Sequence, residues 1–372
     1  MSTTFRAAHA SDPDWETAVG RCLEAMAPLP AGANLGFLYA TDSFADQLGD
    51  ILARLKADTG IAAWTGSVAI GILGGDREYH DVPAISVMVG ALPPGGFRVL
   101  PNLSSSTDEL PAPLLEWIRL TNASFAVVHG DPDNEQSGQL IEELSDTIGG
   151  FLVGGLTSSR GQRRQIAGDV TQGGLSGVIF SPAIAVSTGL TQGCTPFGKM
   201  HEITECRRNI AIGLDGQPAL DVFNEEVGED LANDPARAAG YIFAALPVRG
   251  SDTGDYLVRN LLGIDANNKL IAIGEYLSPG DAIQFCRRDR KSARDDLQRM
   301  LRELMTRAGH RPRAALYFSC LGRGPHMFGE DSGEVRMVQE ALGGIPLAGF
   351  FCNGEISHRR LYGYTGVLML FL

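Results

Sequence analysis

One pattern recurs three times along the chain and narrows the folds open to it. An apolar, strand-like run leads through a loop and a helix to a second apolar run that ends in glycine or a small polar residue. The first copy joins Leu35–Ala40, a helix around Phe44–Lys56 and Ile61–Ser67. The second joins Phe125–Gly130, a helix around Ser137–Ile148 and Phe151–Ser158. The third joins Ala315–Cys320, a helix around Ser332–Leu342 and Ile345–Glu355. One more strand follows each copy, at Ile85–Val89, Ser176–Ile179 and Tyr364–Leu370. Apolar runs of strand length alternating with helix-length amphipathic runs predict an α/β protein. The expected architecture is two domains with mixed β-sheets built from repeated strand–helix–strand–strand units, with helices on the outside. Binding sites are expected where the glycine-rich strand ends converge.

Charge excludes several classes of partner. The chain of 372 residues carries a net charge of −13. Phosphate backbones and anionic membrane surfaces recruit lysine and arginine, so neither nucleic acid nor a membrane is an expected partner. No run reaches the ~18 uninterrupted apolar residues of a membrane span, and residues 1–14 lack the apolar core of a secretory signal. The expected compartment is the cytoplasm, with reduced thiols. The six cysteines, Cys22, Cys194, Cys206, Cys286, Cys320 and Cys352, form no CxxC pair and signal neither a zinc ribbon nor a disulfide framework.

Residues 1–33 read as a polar lead-in with one helix around Trp15–Met26, stopped by Pro28 and Pro30. Asp215-Gly216 is a hairpin signal, and Pro218 opens a helix over Ala219–Glu226. Asn233-Asp234-Pro235 is a breaker and places a domain boundary near residues 226–240. Asp255 and Arg259 stand four apart, the spacing of an ion pair on a helix. A charged amphipathic helix is predicted over Ser292–Ala308, with Leu297, Met300, Leu301 and Leu304 on one face.

Three loops carry the candidate chemistry. Gly154-Gly155-Leu156-Thr157-Ser158 follows a strand and offers backbone N–H groups and hydroxyls, although no Lys-Ser/Thr pair makes it a phosphate loop. Cys320-Leu321-Gly322-Arg323-Gly324 presents a guanidinium between glycines, and arginine clamps a carboxylate through two parallel hydrogen bonds. Phe351-Cys352-Asn353-Gly354-Glu355 places a carboxylate at a strand end, where it would accept a ligand ammonium. The candidate ligand-binding residues are therefore Gly155, Thr157, Ser158, Cys320, Arg323, Gly324, Phe351, Cys352, Asn353 and Glu355. Each has a plain structural alternative: a turn, an inter-element salt bridge or local backbone bonding. Cys320 or Cys352 beside His326 or His358 suggests a cysteine nucleophile, yet no third group orients the base. His9, His80, His129, His201 and His310 show no metal-ligand spacing, and Asp131 with Asp133 is also an ordinary turn. No catalytic residue, metal or cofactor is expected.

In order and spacing these motifs resemble the FIST family, with an N-terminal and a C-terminal FIST domain. The resemblance rests on Gly66-Ser67 with Gly71, on Val153–Leu156, and on Gly213–Leu220. In the C-terminal half it rests on Tyr256 with Arg259, on Cys320–Gly324, and on Gly349–Phe351 with Gly354-Glu355-Ile356. It implies a lead-in at 1–33, a FIST N-terminal domain at 34–228 and a FIST C-terminal domain at 229–372. It also implies a cytoplasmic sensory module for a small ligand such as an amino acid; the glycine-rich strand ends are expected to meet between the domains, and Arg323 with Glu355 points to a small zwitterion there. The output would come from a separate signalling protein: a kinase, a cyclic-dinucleotide enzyme or a chemoreceptor. Some members of the family are linked to haem and nitric-oxide sensing, but no histidine here maps onto a haem ligand. A cysteine enzyme and a haem-linked sensor are the alternative readings.

Overall fold

The three sequence repeats appear as three sheets in the structure, a computed structural model that describes residues 4–228, 241–248 and 256–372. The first repeat runs β1 (Thr4–Ser11), α1 (Trp15–Met26), β2 (Leu35–Thr41), α2 (Leu48–Thr59), β3 (Ala63–Ala69), β4 (Gly71–Gly74), β5 (Arg77–His80) and β6 (Ala84–Ala91). The second runs β7 (Phe97–Leu103), α3 (Ala112–Thr121), β8 (Phe125–Gly130), α4 (Ser137–Ile148), β9 (Phe151–Leu156), β10 (Gln165–Ala167), β11 (Asp169–Thr171) and β12 (Leu175–Phe180). The third opens with β13 (Val186–Gln192) and is then interrupted by β14 (Cys194–Arg207), β15 (Ile210–Leu214), β16 (Gln217–Pro218), α5 (Ala219–Val227), β17 (Ile242–Pro247), β18 (Tyr256–Asp265), β19 (Leu270–Ile273) and β20 (Ala282–Arg288). It resumes with α6 (Arg290–Ala308), β21 (Ala314–Cys320), α7 (Pro325–Phe328), α8 (Gly333–Leu342), β22 (Leu347–Cys352), β23 (Glu355–His358), β24 (Arg360–Tyr362) and β25 (Thr365–Phe371).

Two compact units result: residues 1–191 with 296–372, and residues 192–295. The breaker at 233–235 lies outside the described residues. The lead-in is more than a helix, because Thr4–Ser11 pairs antiparallel with β6 along its whole length.

Within the larger unit the sheet orders are β1-β6-β2-β3-β10-β11, β7-β12-β8-β9-β23-β24 and β13-β25-β21-β22-β4-β5. Each repeat therefore keeps its own core strands, while its hairpin crosses to another sheet. The hairpin β4–β5 joins the third sheet, β10–β11 the first, and β23–β24 the second. This closed exchange gives the unit an approximate threefold symmetry. Crowded glycines fix the equivalences. A Cβ on Gly66, Gly154 or Gly349 would stand 1.8 Å from the carbonyl oxygen of Leu38, Val128 or Tyr317 respectively. Equivalent strand positions follow from those pairings, and Tyr39, His129 and Phe318 are one such set. Their rings meet in a triangle, with centroids 5.6, 6.3 and 6.4 Å apart.

Alternation along the strands explains the layering. Phe37, Val127 and Leu316 point into a shared core with Met88, Phe180, Phe350 and Phe371. Leu38 and Ala40 face outward beneath Val19, Ile51 and Leu55 of α1 and α2, and Val128 lies beneath Leu140, Ile141 and Leu144 of α4. The expected face on α6 is buried at Leu297, Met300, Leu301 and Leu304. Helix ends follow local chemistry: Asp14 caps α1 by accepting from Thr17 N, and α2 stops at left-handed Gly60.

The smaller unit is antiparallel, in the order β14-β20-β17-β18-β19-β15-β16, and an additional β14–β15 pairing closes it on itself. Asp215 and Gly216 both take positive φ in the expected turn between β15 and β16. The expected helix at 255–259 is overturned. Asp255 lies outside the described residues, and Tyr256–Arg259 forms strand β18 between β17 and β19. Arg259 pairs instead with Glu275 at 2.9 Å. His201 is buried with a carboxylate at each ring nitrogen, Asp215 at 2.8 Å and Glu226 at 3.2 Å.

Candidate functional site

The end of β21 and the start of α8 build a buried polar cluster in the larger unit. Tyr317 and Ser319 share the outward face of β21, and Glu334, the second residue of α8, packs over them. Glu334 accepts from Tyr317 OH at 2.7 Å and from Ser319 Oγ at 3.0 Å. It also accepts from Arg323 Nε at 2.7 Å and from Gly324 N at 3.0 Å. Four donors thus satisfy one buried carboxylate. Two further amides fix the helix end itself: Glu334 N and Val335 N donate to Glu78 of β5, at 3.1 and 3.0 Å.

Arg323 is held by its Nε alone. Its side chain is 1% exposed, and the Phe328 ring covers the guanidinium face at 5.0 Å. Neither Nη1 nor Nη2 meets an acceptor among the described residues. Burial pulls the guanidinium pKa down, but Glu334 and Tyr317 outweigh it and raise the value, so the charge is kept. Burial, then Glu334, pushes the Tyr317 phenol well up.

On the inward face of the same strand ends lie Cys320, Cys352 and Glu355. Cys320 and Cys352 are register partners on parallel strands. Glu355 Oε2 accepts from Thr365 N at 3.1 Å and Thr365 Oγ1 at 2.8 Å. Its Oε1 is buried and meets no donor among the described residues. Burial raises the Glu355 carboxyl to about 8, against the opposing pull of the Thr365 bonds, Arg323 and Cys320. Both thiols are raised as well, by burial first and then by Glu355.

All ten predicted residues belong to the larger unit. Gly155 is opposite Glu355 in the β9–β23 ladder, and a Cβ there would fall 2.2 Å from Cys352 Sγ. The hydroxyls of Thr157 and Ser158 are already engaged: Thr157 Oγ1 shares a 2.8 Å bond with Ser67 Oγ, and Ser158 Oγ donates to Phe351 O at 2.5 Å. Gly324 supplies its amide to Glu334, and Phe351 is buried against His80, with ring centroids 4.5 Å apart. Asn353 is exposed and contributes its backbone N–H to Leu156 O. Glu355 lies within electrostatic reach of Arg323, Cys320 and Cys352, and Gly155 of the second repeat packs against Cys352. Sequence reasoning missed Glu334, Tyr317, Ser319, Thr365 and Glu78. An acidic residue just inside a helix start is ordinary capping chemistry, which concealed Glu334.

Among the described residues no group of three or more His, Cys, Asp or Glu side chains is placed to hold a metal ion, and no helix is long and apolar enough to cross a membrane.

The fold is mixed α/β, and its buried Arg323 and Glu355 keep bonding capacity that no described residue uses. The chain belongs to the FIST family: the FIST N domain matches residues 34–217 and the FIST C domain residues 219–358. FIST domains are associated with sensory roles in signal transduction. The chain is 33% identical to the uncharacterized protein Rv0628c of Mycobacterium tuberculosis, over 91% of each chain. It is 30% identical to the uncharacterized protein Mb0898c of Mycobacterium bovis, over 91% of this chain and 90% of that one. Both matched regions build the larger unit, and they meet at the site where Gly155 touches Cys352 and Glu78 holds α8.

Proposed function

We propose that this protein is a cytoplasmic sensory module that binds a small zwitterion, an amino acid being the simplest, at the Arg323–Glu355 cluster. It would report to a separate signalling protein such as a kinase, a cyclic-dinucleotide enzyme or a chemoreceptor. The observation that carries the reading is the set of three buried atoms with unused bonding capacity: Arg323 Nη1, Arg323 Nη2 and Glu355 Oε1. Buried polar groups are nearly always satisfied, and each one left open costs about 1–3 kcal/mol. Because Glu334 holds Nε, the free end of the guanidinium is the two-pronged edge that fits a planar carboxylate. Glu355 Oε1 then receives the ammonium and loses its proton as it does so. A zwitterion adds no net charge to a buried centre, which spares the cost of an uncompensated ion. The raised thiols favour this reading over a cysteine nucleophile, since attack requires thiolate.

A thermal-shift titration of the full chain against amino acids, small carboxylates and amines tests the reading. A ligand that binds only the folded state raises the melting temperature with concentration. The expected result is a saturable shift for at least one amino acid, lost in Arg323→Lys, which keeps the charge but not the fork. A flat response across the panel, or undiminished binding by Arg323→Lys, overturns it.

A further inference from the structure

Nothing reaches Arg323 without displacing part of the protein, because the side chain is 1% exposed and Phe328 lies on its face. Phe328 closes the short turn α7, which begins after Gly324 and ends before Gly329, at φ +51° and +86°. Such values suit glycine and let both ends swing at little steric cost. Three backbone bonds lie within the turn: Met327 N and Phe328 N donate to Gly324 O, and Gly329 N donates to Pro325 O. Beyond Gly329, Asp331 and Ser332 are consecutive non-glycine residues in the left-handed region, at φ +65° and +61°. Strained backbone of this kind is concentrated at moving and ligand-clamping segments.

The ground beneath this segment is fixed by contrast. Glu78 holds the start of α8 through Glu334 N and Val335 N, and Glu334 is bound to Tyr317 and Ser319. Between β5 and the segment lies a cavity of about 230 Å³, lined by Glu78 and His80 on one side and by Pro325, Glu330, Asp331 and Ser332 on the other. Phe351 packs behind the lining residue His80, with ring centroids 4.5 Å apart, and a Cβ on Gly324 would touch both His80 and Phe351, at 3.3 and 3.1 Å.

We propose that residues 325–331 form a hinged cover over the Arg323 site, pinned at Gly324 by Glu334 and at Ser332 by Glu78 N, with Phe328 as its latch, and that the cavity against β5 is the port through which ligand passes. This inference rests on Arg323 and Glu355 being the ligand site. Its motion is local opening: the cover lifts while β21, α8 and the Arg323–Glu334 pair stay in place.

The test uses phenylglyoxal, an arginine-selective reagent, on the full-length protein, with labelling read by peptide mass spectrometry. Arg21, whose side chain is 57% exposed, is the internal reference. Arg323 is expected to react more slowly than Arg21, at a rate nearly independent of urea below the unfolding transition. Phe328→Ala is expected to accelerate Arg323 at least tenfold and leave Arg21 unchanged. Hydrogen exchange on the wild-type chain gives a second readout that no folding defect can spoil: the Met327 and Phe328 amides should exchange well before Val335 and Val338. Labelling of Arg323 that shows the full urea dependence of global unfolding, or exchange of all four amides together, overturns the cover. Local opening without any ligand-induced thermal shift supports the cover and overturns the sensor reading. Global opening with ligand binding does the reverse.

Discussion

Replacing Glu355 by glutamine separates the charge of this residue from its shape. Burial raises the carboxyl from its ordinary 4.5 to about 8. Between those values the folded chain keeps a proton that the unfolded chain has lost. Stability therefore falls as pH rises, by about 1.36 kcal/mol per pH unit. From pH 6 to pH 8 the loss sums to about 2 kcal/mol, the last half-unit counting less because Glu355 itself begins to ionise. Glutamine keeps the oxygen that accepts from Thr365 and has nothing to titrate. Glu355→Gln should thus lose about 2 kcal/mol less than wild type between the same two pH values. Urea unfolding followed by tryptophan fluorescence makes the comparison, because Trp15, Trp64 and Trp117 all lie in the larger unit. Every other titrating group contributes equally to both proteins and cancels in the difference. Equal losses would mean that Glu355 is already ionised at pH 6. In that case the ammonium would find a ready carboxylate, and binding would release no proton.

Four further outcomes follow from the same geometry. Burial lowers His129 to about 3, so the folded state rejects a proton that the unfolded state takes up below its ordinary 6.5. Stability is lost as pH falls through that window, and His129→Gln should flatten the acid limb of the unfolding curve between pH 6 and pH 4. Arg323→Ala leaves Glu334 without its cation in a dry site and should cost about 3–5 kcal/mol in urea unfolding, against less for Arg323→Lys. Gly154→Ala drives a Cβ to 1.8 Å from Val128 O in the middle of the second sheet and should destabilise by about 3 kcal/mol, measured by the same unfolding curve. Cys352, buried and raised by burial and Glu355, should react with a thiol reagent at neutral pH only as fast as the site opens.

Much of the larger unit could be read from the chain because its signals are local. Each repeat combines an apolar strand, an amphipathic helix and a glycine-terminated strand, and each of those patterns spans fewer than about 15 residues. What could not be read was the exchange of hairpins. Glu355 sits in the second sheet, although its own strand neighbours in sequence build the third, and no local pattern records that pairing. The insertion was equally hidden: residue 295 falls inside helix α6, and at the near end only Gly193 separates β13 from β14. At Tyr256–Arg259 a helical charge spacing was present, but two neighbouring strands supplied ladder bonds and Glu275 supplied the partner. Arg323 and Glu355 were legible as candidates because charged residues beside glycine at strand ends are unusual. Their incomplete satisfaction was not, since it depends on where every neighbouring donor and acceptor falls.

The threefold scaffold itself argues that the third copy has been specialised. Strand registers make Tyr317 equivalent to Leu38 and Val128, and Ser319 equivalent to Ala40 and Gly130. Cys352 corresponds to Ala69 and Thr157, and Glu355 to Ile72 and Gln165. The first copy therefore fills the Glu355 position with an apolar side chain. The second fills it with an amide that is fully engaged, donating to Gly174 O at 3.0 Å and accepting from Ser176 Oγ at 2.6 Å. Both solutions build the same sheet without a buried charge. The third copy instead buries a carboxylate with one oxygen open, within electrostatic reach of Arg323, an arrangement that costs free energy unless a partner is supplied. Under the proposed function, a ligand that supplies a carboxylate to Arg323 and an ammonium to Glu355 would offset that cost.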